Sequence, residues 1–254
     1  MIFDTNLHVT VDDTWDQKIR NNSFNNIINI HKKNKLKGFC AVGIPNIGNY
    51  NHKLFKKKIS DYKFIHPVAG LDLNKNLEKE FNLIKKLEYD SIKIHPRSCG
   101  MNIEYLDYDK LAFFINKYKF NILICTYFNK EIKNTYTEDP KISLIKFLKK
   151  IKKNKVLLMH GGCERIMEFA ELIRFNENMF LDLSLTIMKY QGSSIDNDLK
   201  FLFNNFDRKI TIGSDFPETN YSHFLKRVKF FSKTVPSNKL KNIYYKNAQK
   251  IFFN

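Results

Sequence analysis

Several short stretches of this chain bring together side chains that could bind a cation or activate water. In Phe3-Asp-Thr-Asn-Leu-His8 an apolar start runs into Asp4, Asn6 and His8, spaced by two. Alternate residues of a strand point the same way, so the three are expected on one face of a first strand, at its leading end. Lys93, His95 and Arg97 repeat that spacing, and Cys125-Thr126, His160-Gly-Gly162, Asp182-Leu-Ser184 and Gly213-Ser-Asp215-Phe-Pro217 follow. Imidazole, carboxylate and thiolate are the ligands of divalent metals, and a carboxylate beside a water is a general base. One polar strand end is most often a satisfied structural group. His8, His160 and Asp215 on three different strands are harder to explain that way and point to a functional cluster.

The elements that carry these residues alternate to the end of the chain. Strands are expected at Phe3–His8, Phe39–Gly43, Phe64–Leu71, Ser91–His95, Asn121–Thr126, Val156–His160, Met179–Ser184 and Ile210–Ser214. Amphipathic stretches fill the gaps: Trp15–Lys33, His52–Ser60, Leu77–Leu87, Tyr108–Tyr118, Pro140–Ile151, Glu164–Phe175, Ile195–Phe206 and Tyr221–Ser232. Strands rich in Val, Ile, Leu and Phe between helices mean parallel βαβ units. Eight such units in 254 residues fit one α/β domain, a single (β/α)8 TIM barrel, with an extra C-terminal helix at Asn238–Phe252. A doubly wound sheet would want a Gly-rich turn after an early strand, and Val9-Thr-Val-Asp-Asp13 has no Gly. In a barrel the polar strand ends all meet at one face. The longest expected loops, Pro96–Asp107, Tyr127–Asp139 and Leu185–Ser194, lie there too.

Composition narrows the partners. The net charge of +17 rests on 43 Lys and Arg, of which only six are Arg, the residue suited to base and bidentate phosphate contacts. The densest run, Lys146 to Lys155, falls at an expected helix end, where cations suit the helix dipole. A small-molecule substrate is therefore expected, not nucleic acid. No apolar run approaches the ~18 residues of a membrane span, no signal peptide is expected, and the cytoplasm is the expected location. Cys40, Cys99, Cys125 and Cys163 form no C-x-x-C pair and read as reduced thiols. The closing helix, with Ile243, Tyr244, Ile251, Phe252 and Phe253, could cap the barrel or pair with a second copy in a homo-oligomer.

Taken in order, these pieces resemble the amidohydrolase superfamily. The likeness is nearest to the amidohydrolase-related branch that includes aminocarboxymuconate semialdehyde decarboxylase and the dicarboxylate lactonases. Its markers are Phe3-Asp-Thr-Asn-Leu-His8, Ile92-Lys-Ile-His-Pro96, Met159-His-Gly-Gly162, Ile212-Gly-Ser-Asp-Phe-Pro217 and Asn247-Ala-Gln-Lys-Ile-Phe252. The resemblance implies a divalent metal, zinc among the candidates, held by a His-x-His pair on strand one and an Asp on strand eight. In many members His residues ending strands five and six complete the site. This sequence keeps His8, His160 and Asp215. Asn6 stands at the first His position of strand one and Cys125 at the strand-five His position. Asn is a poor zinc ligand, and Cys is a good one as thiolate. The site implied is either a thinned one of His8, Cys125, His160 and Asp215, or one that has lost its metal.

The activity implied is hydrolysis of a small carboxylated lactone, ester or amide, with Asp215 as base and His8 and His160 holding a metal or the substrate oxygen. Without a metal, Asp215 could still activate water for an ester that is already electrophilic, as some lactonases of this branch are thought to do. A decarboxylase of the same branch and an inactive barrel serving as a binding protein are the competing expectations. Arg97 could clamp a substrate carboxylate, His95 could polarise a substrate oxygen, and Asn6 could hydrogen-bond substrate or water. Each also has a structural alternative: a surface Arg, an orienting His, a buried amide. Cys125 could be a ligand, a nucleophile or a small core hydrophobe. Lys93 should face the barrel interior by parity, with Asp4 as candidate partner. In other branches a carboxylated strand-four Lys bridges two metals, a role the incomplete strand-one pair argues against. Asp182 and Ser184 are expected to support the site, His66 to lie on the stability face, and His31, His52 and His223 to face solvent.

Overall fold

The computed structural model describes residues 1–15, 22–128 and 136–253. Eight parallel strands pair in sequence order: β1 Phe3–Leu7, β2 Gly38–Val42, β3 Ile65–Gly70, β4 Ser91–Ile94, β5 Asn121–Cys125, β6 Val156–Met159, β7 Met179–Asp182 and β8 Ile210–Thr211. The barrel closes where Thr5 N–H donates to the Ile212 carbonyl (3.2 Å), Asp215 N–H to Asn6 (2.7 Å) and His8 N–H to Phe216 (2.9 Å). The helices are α1 Phe24–Lys33, α2 His52–Ile59, α3 Leu77–Lys86, α4 Tyr108–Tyr118, α5 Pro140–Leu148, α6 Ile166–Ile173, α7 Thr186–Lys189, α8 Ile195–Asn205, α9 Tyr221–Ser232, α10 Ser237–Lys241 and α11 Asn247–Phe252. The expected (β/α)8 barrel is thus the observed fold. Among the described residues no helix is long and apolar enough to cross a membrane.

Two cores divide the work. Phe3, Cys40, Val42, Val68, Leu123, Leu157, Met159 and Phe180 fill the barrel, and Ile251 and Phe252 of α11 plug its lower end. A larger shell packs the outer faces of the strands against the helices. The closing stretch is a cap of α10, a widened turn Asn242–Lys246 and α11, with Phe252 packed on Phe3 and on His66. His66 accordingly sits at the end of the barrel away from the site. Part of the Lys146–Lys155 run is spent on surface pairs, Lys146 with Glu138 and Lys150 with Asp109.

The structure differs from the sequence expectation mainly at the strand tops. The regular ladders stop before the polar residues, so His8, His95, Thr126, His160, Ser184 and Asp215 lie just past their strands. The helix expected from Glu164 begins at Ile166, because Gly161, Gly162 and Cys163 take left-handed backbone after β6. The helix expected over Trp15–Lys33 is described from Phe24, capped by the Ser23 side chain, which accepts the Asn26 N–H; positions 16–21 fall outside the described residues. Of the loop expected at Tyr127–Asp139, positions 129–135 also fall outside them.

Strand one corrects the parity argument. Asp4 aligns with Phe39 and Leu7 with Ala41, so three steps on β1 match two on β2, the mark of a β-bulge. Thr5 and Asn6 both turn toward the barrel, and Asp4 turns away from it. Its Oδ1 accepts the backbone N–H groups of Asn6 (3.1 Å) and Ser214 (2.9 Å), and Tyr221 of α9 lies beside it. Asp4 is therefore no partner for Lys93.

Candidate active site

The bulge and the closing strand together build the centre of the site. With Asn6 turned inward, its Nδ2 donates to Oδ1 of Asp215 (2.6 Å) and to Oγ of Ser184 (3.0 Å). Gly213 makes this approach feasible: a Cβ there would stand 2.7 Å from the Asn6 Cβ. His8 donates from Nδ1 to the Val42 carbonyl (3.1 Å), which turns Nε2 toward Asp215 Oδ1 at 3.3 Å. The Trp15 indole stacks on the His8 ring, 4.8 Å between centroids, and its Nε1–H donates to Glu218 Oε1 (2.5 Å). Asp215 adopts φ of 55°, strained backbone for a non-glycine residue of the kind found at functional turns.

A second group lies across the barrel mouth. His160 (φ 65°) meets Ser184 through Nδ1, 3.1 Å from its Oγ. The turn that follows depends on Gly162, whose φ is 74° and where a Cβ would stand 2.1 Å from the Phe169 ring. Its N–H donates to Thr126 Oγ1 (2.8 Å). His95 accepts the Ser98 N–H at Nδ1 (3.0 Å), which caps the short turn Pro96–Cys99. Cys125 lies close enough to His95 and His160 for both imidazoles to act on its thiol. Asp182 accepts Thr5 Oγ1–H (2.6 Å) and the Ser184 N–H (3.0 Å), so the strand-seven pair holds Asn6 and His160 in place, as expected of it.

His8, Trp15, His95, His160 and Asp215 line one cavity of about 450 Å³, together with Lys93, Arg97, Tyr127, Lys189 and Glu218; Asn6 and Cys125 are not among its lining residues. Arg97 and Lys189 both stack over the Tyr127 ring, at 4.5 and 4.2 Å. The charges shape one another. Burial alone would raise the Asp215 carboxyl, but His160, His8 and Lys93 hold it well below its ordinary value. Burial would also raise the Cys125 thiol, and the His95 and His160 imidazoles reverse that, favouring thiolate. Burial pulls His160 down, and Asp215 and Cys125 more than restore its proton.

The site residues expected from sequence therefore meet, with the exception of Asp4. Asn6, His8, His160 and Asp215 touch directly or through Ser184, Cys125 lies between two histidines, and His95 and Arg97 line the cavity. Sequence reasoning missed Trp15, Tyr127, Lys189 and Glu218 as site walls. Tyr127 directly follows the polar strand end Cys125-Thr126 and Trp15 is the only Trp of the chain, the two signals that could have found them. Solvent-facing His52 and His31 are corrected. His52 is buried against Glu80, and His31 stacks on Phe64 at 3.8 Å, while His223 is exposed as expected.

His8 and His160 are tied back through Nδ1, as ligating histidines usually are. No third ligand joins them: among the described residues no group of three or more His, Cys, Asp or Glu is placed to hold a metal ion. The reason is local. The Asn6 amide and His8 meet Asp215 Oδ1 at 2.6 and 3.3 Å, and Lys93 brings a further positive group toward the same carboxylate, where a metal would add its own charge. The donor set His8, Cys125, His160 and Asp215 does not fit a metal as arranged.

No family model matches the chain, and no curated protein matches it in sequence. Solved structures do match over nearly all of it. An uncharacterized TIM-barrel protein from Bordetella bronchiseptica superposes with a TM-score of 0.79 at 13% identity, covering 98% of this chain and 97% of that one. A candidate 2-pyrone-4,6-dicarboxylic acid hydrolase from Acinetobacter baumannii, solved with citric acid bound, gives 0.72 at 16% identity over 99% and 98%. An amidohydrolase from Burkholderia multivorans with bound zinc gives 0.70 at 10% identity over 99% of each chain. At these identities the likeness establishes the fold: the chain has the TIM-barrel architecture that these structures share.

Proposed function

We propose that the protein is a hydrolase that opens a small carboxylated lactone or a similarly activated ester, with Asp215 taking a proton from water. The observation that carries this reading is the asymmetry of Asp215. Its Oδ1 is bound by Asn6 and His8, while Oδ2 has no hydrogen bond among the described residues and belongs to a residue lining the cavity. One oxygen is held and the other is left to meet a water.

The electrostatics select the substrate. A carboxylate held far below its ordinary pKa is a weak base, so it suits a carbonyl that is already electrophilic better than an unactivated amide. Arg97 and Lys189 line the cavity without a carboxylate partner among the described residues. Two cations at one wall suit a substrate carboxylate, and the candidate dicarboxylic acid hydrolase with bound citric acid supports the same class by analogy. The test is a panel of carboxylated and neutral lactones and esters. Wild type should favour the carboxylated ones, and Asp215→Asn should lower kcat about 10²–10⁴-fold with an unchanged circular dichroism spectrum. Undiminished turnover by that variant would sink the reading.

A further inference from the structure

Lys93 lies in β4 beside Gly70 of β3 and Leu123 of β5, 1% exposed, and its side chain lines the cavity. Among the described residues it has neither a hydrogen bond nor an ion pair. Burial lowers the pKa of Lys93; the nearby Cys125, Asp215 and Asp182 favour its proton, and Arg97 and His160 oppose it. A buried ammonium with no direct partner costs several kcal/mol, and a Met of similar length would fill the same space without that cost. A fold retains such a group when a ligand is its partner.

We propose that Lys93 is the resident cation of the catalytic centre, its ammonium meeting the carbonyl oxygen of the substrate, so that the site works without a metal. The proposal rests on the hydrolase reading above. Water attacks the carbonyl carbon and gives a proton to Asp215 Oδ2. The C=O pair moves onto oxygen, where Lys93 Nζ–H donates to it. The pair then returns, the ring C–O bond breaks, and the leaving oxygen recovers the proton from Asp215. Lactone and water become one hydroxy acid, with nothing oxidised. The arrangement accommodates Asn6, whose amide donates to Asp215 Oδ1 and leaves Oδ2 to the water.

The test compares wild type with Lys93→Met. Wild-type protein, stripped with chelator and titrated with zinc in a calorimeter, should take up far less than one equivalent. Lys93→Met should lose about 10²–10³-fold in kcat, as for loss of an oxyanion donor, and should melt at the same temperature as wild type or higher. One equivalent of tightly bound zinc overturns the proposal. So does a Lys93→Met variant that keeps full turnover, or one that melts lower, which would mark the lysine as structural. The zinc and melting measurements need no substrate, so they can overturn the proposal while the hydrolase reading stands. A lactone panel with no turnover in wild type defeats that reading independently of them.

Discussion

Two buried polar clusters sit on the upper half of this barrel, and they are built to opposite rules. One is the Asp215 centre. The other lies behind the β2 and β3 loops, where Tyr50 Oη–H donates to His52 Nδ1 (2.9 Å) and His52 Nε2–H to Glu80 Oε1 (2.7 Å). There the Gly70 N–H donates to Tyr50 Oη (2.8 Å), and Tyr89 Oη–H donates to the His52 carbonyl (2.7 Å). By residue type the second cluster looks the more catalytic, a tyrosine, a histidine and a carboxylate in series. None of its buried side-chain atoms lacks a partner, whereas Asn6 Oδ1 in the first cluster does. Its residues also keep ordinary backbone, while Asp215 and His160 are left-handed. A network that satisfies itself holds loops together. One that leaves acceptors, cations and strain unresolved is waiting for a ligand.

The largest expected effect tests the first half of that contrast. His52→Leu would leave Glu80 buried with only the Asp72 N–H at 3.3 Å. The expected cost is about 3–5 kcal/mol, read as a fall in melting temperature of roughly 6–15 °C for a chain of this size. The kcat of the folded fraction should stay at the wild-type value. A drop in kcat with stability preserved would make the Tyr50–His52–Glu80 series catalytic and erase the distinction.

How much of this was legible from sequence follows from the range of the forces involved. The barrel was visible because strand and helix periodicity is local and repeated along the chain. Asn6, His8, His160 and Asp215 were visible because each stands at a strand top, and closure of the barrel brings strand tops together. The bulge was not visible. It appears only in how β1 registers against β2 once the two pair, and no residue within β1 announces it. His52 was misplaced for a similar reason: at the first turn of a Lys-rich helix it looks exposed, and its partner Glu80 arrives from the next helix. Lys189 and Tyr127 come from loops after different strands, and nothing in either loop announces the other.

Asp4 gives an intermediate test, because the bulge moved it from the site into the scaffold. Burial pushes its carboxyl up to about 7, and its Oδ2 has no partner among the described residues. The folded chain therefore holds a proton that the unfolded chain releases near pH 4. Stability is full below that pH and declines as pH rises toward 7, by up to about 1.4 kcal/mol per unit. Asp4→Asn keeps the acceptor for the Asn6 and Ser214 N–H groups and removes the titration. It should equal wild type at pH 4, exceed it by about 1–3 kcal/mol at pH 8, and leave turnover unchanged. Parallel denaturation curves at both pH values would show that Asp4 stays charged, and lost activity would return it to the site.

The smallest effect sharpens the other half of the contrast, the claim that unpaired cations await a ligand. Arg97 stacks on Tyr127 and its guanidinium can meet a carboxylate with two parallel hydrogen bonds. A lysine keeps the charge and loses that fork. Arg97→Lys should raise KM for a carboxylated lactone about 10-fold, or about 1.4 kcal/mol, with kcat nearly unchanged because the contact lies away from the reacting carbonyl. The same substitution should leave KM for a neutral lactone where it was. Equal changes for both substrates would mean that Arg97 shapes the loop after β4 and that the carboxylate's partner is Lys189, which also lies over the Tyr127 ring.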